Sequence, residues 1–236
     1  MLLRNIYIFL CVFLLGIILF ITCRKFYIYK IVSKLKGPKI LLIGGTHGNE
    51  EAGSIALNKI IRLHKLKKFT IKKGSLAFVP NLNKCGLLFN SRYYSQITKK
   101  YDLNRLYGKN FIVNKNIEKL IKYYDLIIDL HEGWSFHKIN KNSIGSTITT
   151  KNIKKKNIEF ILNNINKTIK DKNKKFTLIN PPYLKNSLKN FIDENYRDKQ
   201  YLLVETTGQN NIQPLYLRVN QVLNIISSVF SIYNIL

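Results

Sequence analysis

Two residues three apart, His47 and Glu50, follow a glycine pair in GGTHGNEE, residues 44–51, at the end of the apolar run KILLIGG. An imidazole and a carboxylate so placed can share a divalent metal ion. The same octet also reads as a helix start, with Asn49 as cap and Glu50 and Glu51 in the electropositive first turn. Two further apolar runs carry residues of the same kinds at their ends: His131 in DLIIDLHEG and Glu205 in YLLVETTG. The chain has four histidines, and two of them occupy these positions. Ligands of open α/β sheets bind outside the carboxyl ends of strands, so strands ending in this way point to one shared site. Two imidazoles and one carboxylate are a ligand set for a catalytic zinc, one ion per chain. Glu205 is then the natural general base for the water in the fourth position.

Those residues need strands to hold them. KILLIGG reads as a buried strand, followed by a helix over residues 50–66. FTIKKGSLAFVP offers one or two strands, the second ending at Pro80, and residues 81–112 read as long functional loops. NIEKLIKYY predicts a short helix feeding the strand DLIIDL, and YLLVE predicts another buried strand. Helical spacing of Ile158, Ile161, Leu162, Ile165 and Ile169 marks a helix between Lys151 and Lys174. Val219, Val222, Leu223, Ile226, Phe230 and Tyr233 form the apolar stripe of a closing helix. Alternating strands and helices predict an α/β three-layer sandwich, its mixed, largely parallel sheet covered on both faces.

A chain of 236 residues suits one domain with a proper core. Residues 5–23, NIYIFLCVFLLGIILFITC, carry no charge and are long enough to cross a bilayer as a helix. No A-x-A-like site follows them, so residues 1–23 are read as an uncleaved transmembrane signal anchor. Residues 24–37 then form a basic connector and residues 38–236 the folded domain. Arg24, Lys25, Lys30, Lys34 and Lys36 crowd one flank of the anchor against Arg4 on the other, which inclines the domain towards the cytoplasm. The net charge of +26 comes from scattered lysines and would draw the body to anionic lipid. No zinc knuckle, aromatic RNA-binding signature or helix-turn-helix pattern turns that charge into specific nucleic-acid recognition. Cys11 and Cys23 belong to the anchor and Cys85 to the domain, with no Cys-x-x-Cys and no disulfide framework.

In chain order, HGNE, YDLNR, DLHEG and VETTG resemble the zinc carboxypeptidase clan, and within it the branch of aspartoacylase and succinylglutamate desuccinylase. The resemblance covers about residues 38–236 and implies a zinc carboxypeptidase-like fold. It implies zinc on His47, Glu50 and His131, with Glu205 activating the water. It makes Asp102 the carboxylate that orients the first zinc histidine, and Asn104 with Arg105 the pair that holds a substrate carboxylate. The family also places an arginine upstream of the Asn-Arg pair to stabilise the oxyanion. Arg92 is the arginine available there, at a spacing that differs from the family's. For the phenol that many members place over the substrate, Tyr183 competes with Tyr93, Tyr94 and Tyr196. The separate C-terminal β-domain of aspartoacylase-like enzymes is expected to be missing. Two local features stay open: Trp134 and His137 could wall the pocket, and the hydroxyl-rich residues 143–150 could line it or form an ordinary loop and strand.

The implied reaction is hydrolysis of an amide bond in an N-acyl amino acid or a peptide end with a free carboxylate, so the partner is a small acidic or peptide substrate. A metallocarboxypeptidase acting on peptides is the alternative enzyme. A membrane-anchored, non-catalytic binding protein is the alternative of another class, and the intact ligand set with Glu205 argues against it.

Overall fold

The computed structural model describes residues 6–11, 13–14, 25–96 and 99–236. Residues 6–11 and 13–14 are helical and exposed, and the rest of the expected membrane anchor lies outside the described residues.

The remainder is an α/β fold built on a mixed, mostly parallel sheet of seven strands, ordered β1-β3-β2-β6-β9-β7-β8. The strands are β1 (Tyr29–Val32), β2 (Leu35–Ile43), β3 (Lys73–Val79), β6 (Leu126–Gly133), β7 (Thr147–Lys151), β8 (Thr177–Leu178) and β9 (Gln200–Thr207). β3, β2, β6 and β9 run parallel, while β1 and β7 pair antiparallel to their neighbours β3 and β9. A small hairpin, β4 (Tyr94–Gln96) with β5 (Lys99–Tyr101), stands apart.

Helices cover both faces, as continuous apolar strands require. On one face α1 (Glu51–Lys65), α4 (Lys155–Lys167) and α6 (Leu215–Ile232) pack Leu57, Ile161 and Ile226 onto Ile40, Leu42, Ile128 and Val204. On the other, α3 (Ile112–Ile121) and α5 (Leu188–Asn195) pack Ile117 and Ile192 onto Leu41, Ile127 and Tyr201. The core is therefore two apolar layers separated by the sheet. By length and composition α6 could cross a membrane, but half of it is buried and it packs on α1 and α4.

Three local readings need revision. The stretch read as a basic connector contains β1, where Ile31 is buried and Lys30 and Val32 lie outside the core. Residues 81–112 are more ordered than loops, holding the short α2 (Lys84–Leu88), the hairpin and a 3-10 turn over Leu103–Arg105. Asn49 does not cap α1. Glu50 occupies the cap position without a side-chain cap bond, and the Ala52 N–H donates instead to Glu132 Oε1, 2.7 Å away on β6. In addition Cys85, on α2, is disulfide-bonded, where the sequence carried no sign of a disulfide.

Candidate active site

The parallel register of β6 and β9 puts His131 directly beside Glu205. The turn after β2 brings His47 and Glu50 over the same edge of the sheet. That turn depends on glycine: Gly45 has φ +65°, and a Cβ on Gly48 would fall 1.8 Å from the Gly86 carbonyl carbon. Side chains alternate along a strand, so Asp129 and His131 share the face that carries the site, and Glu132 turns to the other.

His47, Glu50 and His131 are all buried, and each offers a ligand atom within 4.8 Å of the others. His47 Nδ1 lies 2.8 Å from Glu50 Oε1, and His131 Nδ1 lies 2.8 Å from Glu50 Oε2. The two Nδ1 atoms are 3.3 Å apart. The far side of each ring meets a carboxylate: His47 Nε2 lies 2.9 Å from Asp102 Oδ1, and His131 Nε2 3.1 Å from Asp129 Oδ1. The second contact lacks hydrogen-bond alignment, leaving His131 Nε2 an ion-pair contact only. Converging Nδ1 atoms, one shared carboxylate and a carboxylate behind each ring make a donor set that fits zinc.

Electrostatics follow from burial and pairing. Burial raises the Glu50 pKa, but the charges and hydrogen bonds of His47 and His131 outweigh it and hold the carboxyl well below its usual range. Burial likewise works against Asp102, and His47, then Arg92 and Arg105, pull its pKa well down. For His131 burial is overcome by Asp129 and Glu50, which raise the imidazole well above its ordinary value. Glu205 goes the other way. Burial dominates, His131 opposes it, Glu50 and Asp129 reinforce it, and the pKa ends well above the carboxylate range.

These residues open onto a cavity of about 320 Å³, which Arg92, Asn104, Arg105 and Glu205 also line. The Arg92 guanidinium bonds Glu50 Oε1 at 3.0 Å and Asp102 Oδ2 at 3.1 Å. Asn104 Oδ1 accepts the Leu188 N–H at 2.9 Å, fastening the start of α5 to the site, and Arg105 Nη1 donates to the Asn104 carbonyl. Half-exposed Trp134 lines the cavity mouth with Ile144, Pro181 and Pro182. His137 is a loop brace, its Nδ1 2.7 Å from the Ser143 carbonyl, and most of residues 143–150 form the β7 strand and its approach. Tyr183 is exposed, gives its hydroxyl to Glu194 at 2.8 Å and does not line the cavity. Its neighbours Pro182 and Leu184 take that wall instead. Of its rivals, Tyr94 is buried in the core under α3, Tyr93 is exposed, and Tyr196 packs on Phe191.

Sequence reading passed over Asp129 and Gln209. Asp129 was findable, since a residue two before a candidate ligand on a strand shares its face. Its Oδ2 also accepts the Tyr201 hydroxyl at 2.8 Å. Gln209 had no signal. It sits in the turn after β9 and donates to Glu50 Oε1 at 2.9 Å and to the Glu132 carbonyl at 2.6 Å.

The chain has the zinc carboxypeptidase-like fold, and residues 36–143 match the succinylglutamate desuccinylase/aspartoacylase catalytic-domain family. Among solved structures it resembles the mDAP-bound form of Helicobacter pylori Csd4, a D,L-carboxypeptidase, with TM-score 0.71 and 21% identity over 88% of this chain and 55% of that one. The tripeptide-bound form of the same protein gives TM-score 0.70 and 19% identity over 90% of this chain and 56% of that one. A succinylglutamate desuccinylase/aspartoacylase from Rhodobacter sphaeroides gives 0.63 and 16% over 89% and 59%. This chain thus spans little more than half the length of those proteins. No curated protein sequence matches it significantly.

Proposed function

We propose that this chain is a zinc-dependent hydrolase that cleaves an amide bond beside a free carboxylate, in a short peptide or an N-acyl amino acid. One observation carries the reading: His47, Glu50 and His131 converge within 4.8 Å, and Glu205 and Arg105 line the same cavity. Zinc on those three residues would acidify a water and polarise the scissile carbonyl. Glu205 accepts the water's proton and returns it to the departing amine; a basic carboxylate is suited to that exchange. Arg105, with a planar fork, and Asn104 beside it hold the substrate's carboxylate. Arg92 brings positive charge to the wall where the oxyanion forms, and Asp102 fixes the His47 ring. The apolar residues 5–23 anchor the domain to a membrane in this reading.

The likeness to Csd4, seen with a tripeptide and with mDAP, favours a peptide over a small acylated amino acid as the substrate. The test is a panel of N-acyl amino acids and short peptides, offered to the full chain with and without added zinc. Hydrolysis should require zinc and vanish in His47→Ala and His131→Ala, and peptides should outrun N-acyl amino acids. Turnover that survives chelation and both substitutions would end the metal reading.

A further inference from the structure

Glu132 is among the residues that line the cavity, but alternation along β6 turns its carboxylate towards Ala52 of α1 and Arg218 of α6, and the residue is 1% exposed. Arg218 of α6, 2% exposed, clamps its Oε2 and also donates to the Gln213 carbonyl at 3.1 Å. Taking two charges this far out of water is costly, and packed apolar side chains would often serve stability as well. The pair therefore calls for a role beyond stability. Its contacts supply one. Glu132 Oε1 accepts the Ala52 N–H at 2.7 Å, two residues past Glu50, and the Glu132 N–H donates to Glu50 Oε2 at 3.2 Å. Gly208 leaves room for the pair, since a Cβ there would lie 1.6 Å from Glu132 Oε2 and 2.4 Å from Arg218 Nη1.

We infer that the Glu132–Arg218 pair is a positioning device that caps α1 from behind and presets Glu50, so that metal affinity is governed from the helical layer opposite the cavity. The inference rests on the proposed zinc site. The Glu132 carboxylate is engaged by Ala52 and Arg218 and has no part in the proposed proton transfer.

Two double variants of the full chain test it, with zinc affinity read by chelator competition and folding by thermal midpoint. Glu132→Leu with Arg218→Met removes the charges and the cap together, and should fold yet bind zinc some ~10–100-fold more weakly, as for partners behind metal ligands. Glu132→Gln with Arg218→Met keeps an acceptor for Ala52 and should recover affinity to within about threefold of wild type, for the same reason. Wild-type affinity in the Leu variant, or equal loss in both, overturns the inference. His131→Ala separates the two claims: if it binds zinc like wild type, the zinc reading has failed, not this one. Should neither double variant fold, amide exchange on wild-type, metal-free protein decides. Ala52 should exchange as slowly as the amides of β6, and exchange at the rate of a frayed first turn overturns the inference.

Discussion

Among individual residues, Glu205 makes the sharpest prediction because its environment and its proposed task concern the same proton. Burial holds its pKa well above the usual carboxylate range in the metal-free protein. The folded state then keeps a proton that the unfolded chain releases above about pH 4.3, so Glu205 lowers stability increasingly as pH rises from there. Glu205→Gln has no proton to release. Metal-free variant should be more stable than wild type at pH 8 and match it near pH 4, the gap opening as pH rises, measured by urea unfolding with a chelator present. An offset independent of pH would mean that packing, not ionisation, accounts for it. The same variant should bind zinc and lose hydrolysis by roughly 10²–10⁴-fold, the usual worth of a general base. Arg105 makes a second prediction. Arg105→Lys keeps the charge without the planar fork, and should cost about 1–3 kcal/mol in kcat/KM on substrates with a free carboxylate. On their methyl amides the loss should largely disappear. An equal fall on both would show that Arg105 supports the Asn104 turn rather than the substrate.

Secondary-structure elements show where the sequence was legible. Long apolar runs gave β2, β6 and β9, because a strand covered on both faces has to be apolar almost throughout. The residues at their carboxyl ends, His131 and Glu205, were legible for the same reason. β6 nevertheless continues through His131 to Gly133, since β9 pairs with it as far as Thr207. Elements of three to five residues, such as α2 and the β4–β5 hairpin, fall below the length at which periodicity can be read. Contacts between distant segments left no trace either. The side chain that caps α1 is that of Glu132, 80 residues from the amide it accepts, whereas Asn49 has the right type but stands one residue before the cap position, which Glu50 holds. Tyr183 shows the same limit, because its spacing allowed a cavity position that Pro182 and Leu184 fill. A prediction belongs to the turn between β2 and α1. In Gly48→Ala the new Cβ would meet the Gly86 backbone, which no rotamer change can relieve. The variant should lose at least ~2 kcal/mol of stability, in the range of core overpacking, and bind zinc more weakly. Wild-type values for both would show that the HGNE turn and α2 can separate.

For the whole molecule, a charge of +26 spread over the surface makes an anionic bilayer an attractive support, and an attraction that salt weakens. The position of β1 adds a constraint of a different kind. The apolar run ends at residue 23 and β1 begins at Tyr29, so in the proposed membrane-anchored reading residues 24–28 would be all that separates the anchor from the sheet. Five residues reach at most about 18 Å when fully extended. A domain of this size has a radius of gyration of about 17 Å, so the leash is shorter than the body is wide. Moored so closely under that proposal, the domain would graze only what lies near the bilayer surface. Inserting twenty Gly/Ser residues after Arg24 should therefore leave turnover of free substrates unchanged. For substrates displayed from the same vesicle on spacers of graded length, it should move the cleaved zone outward. An unchanged spacer dependence would show that these five residues do not set the working height.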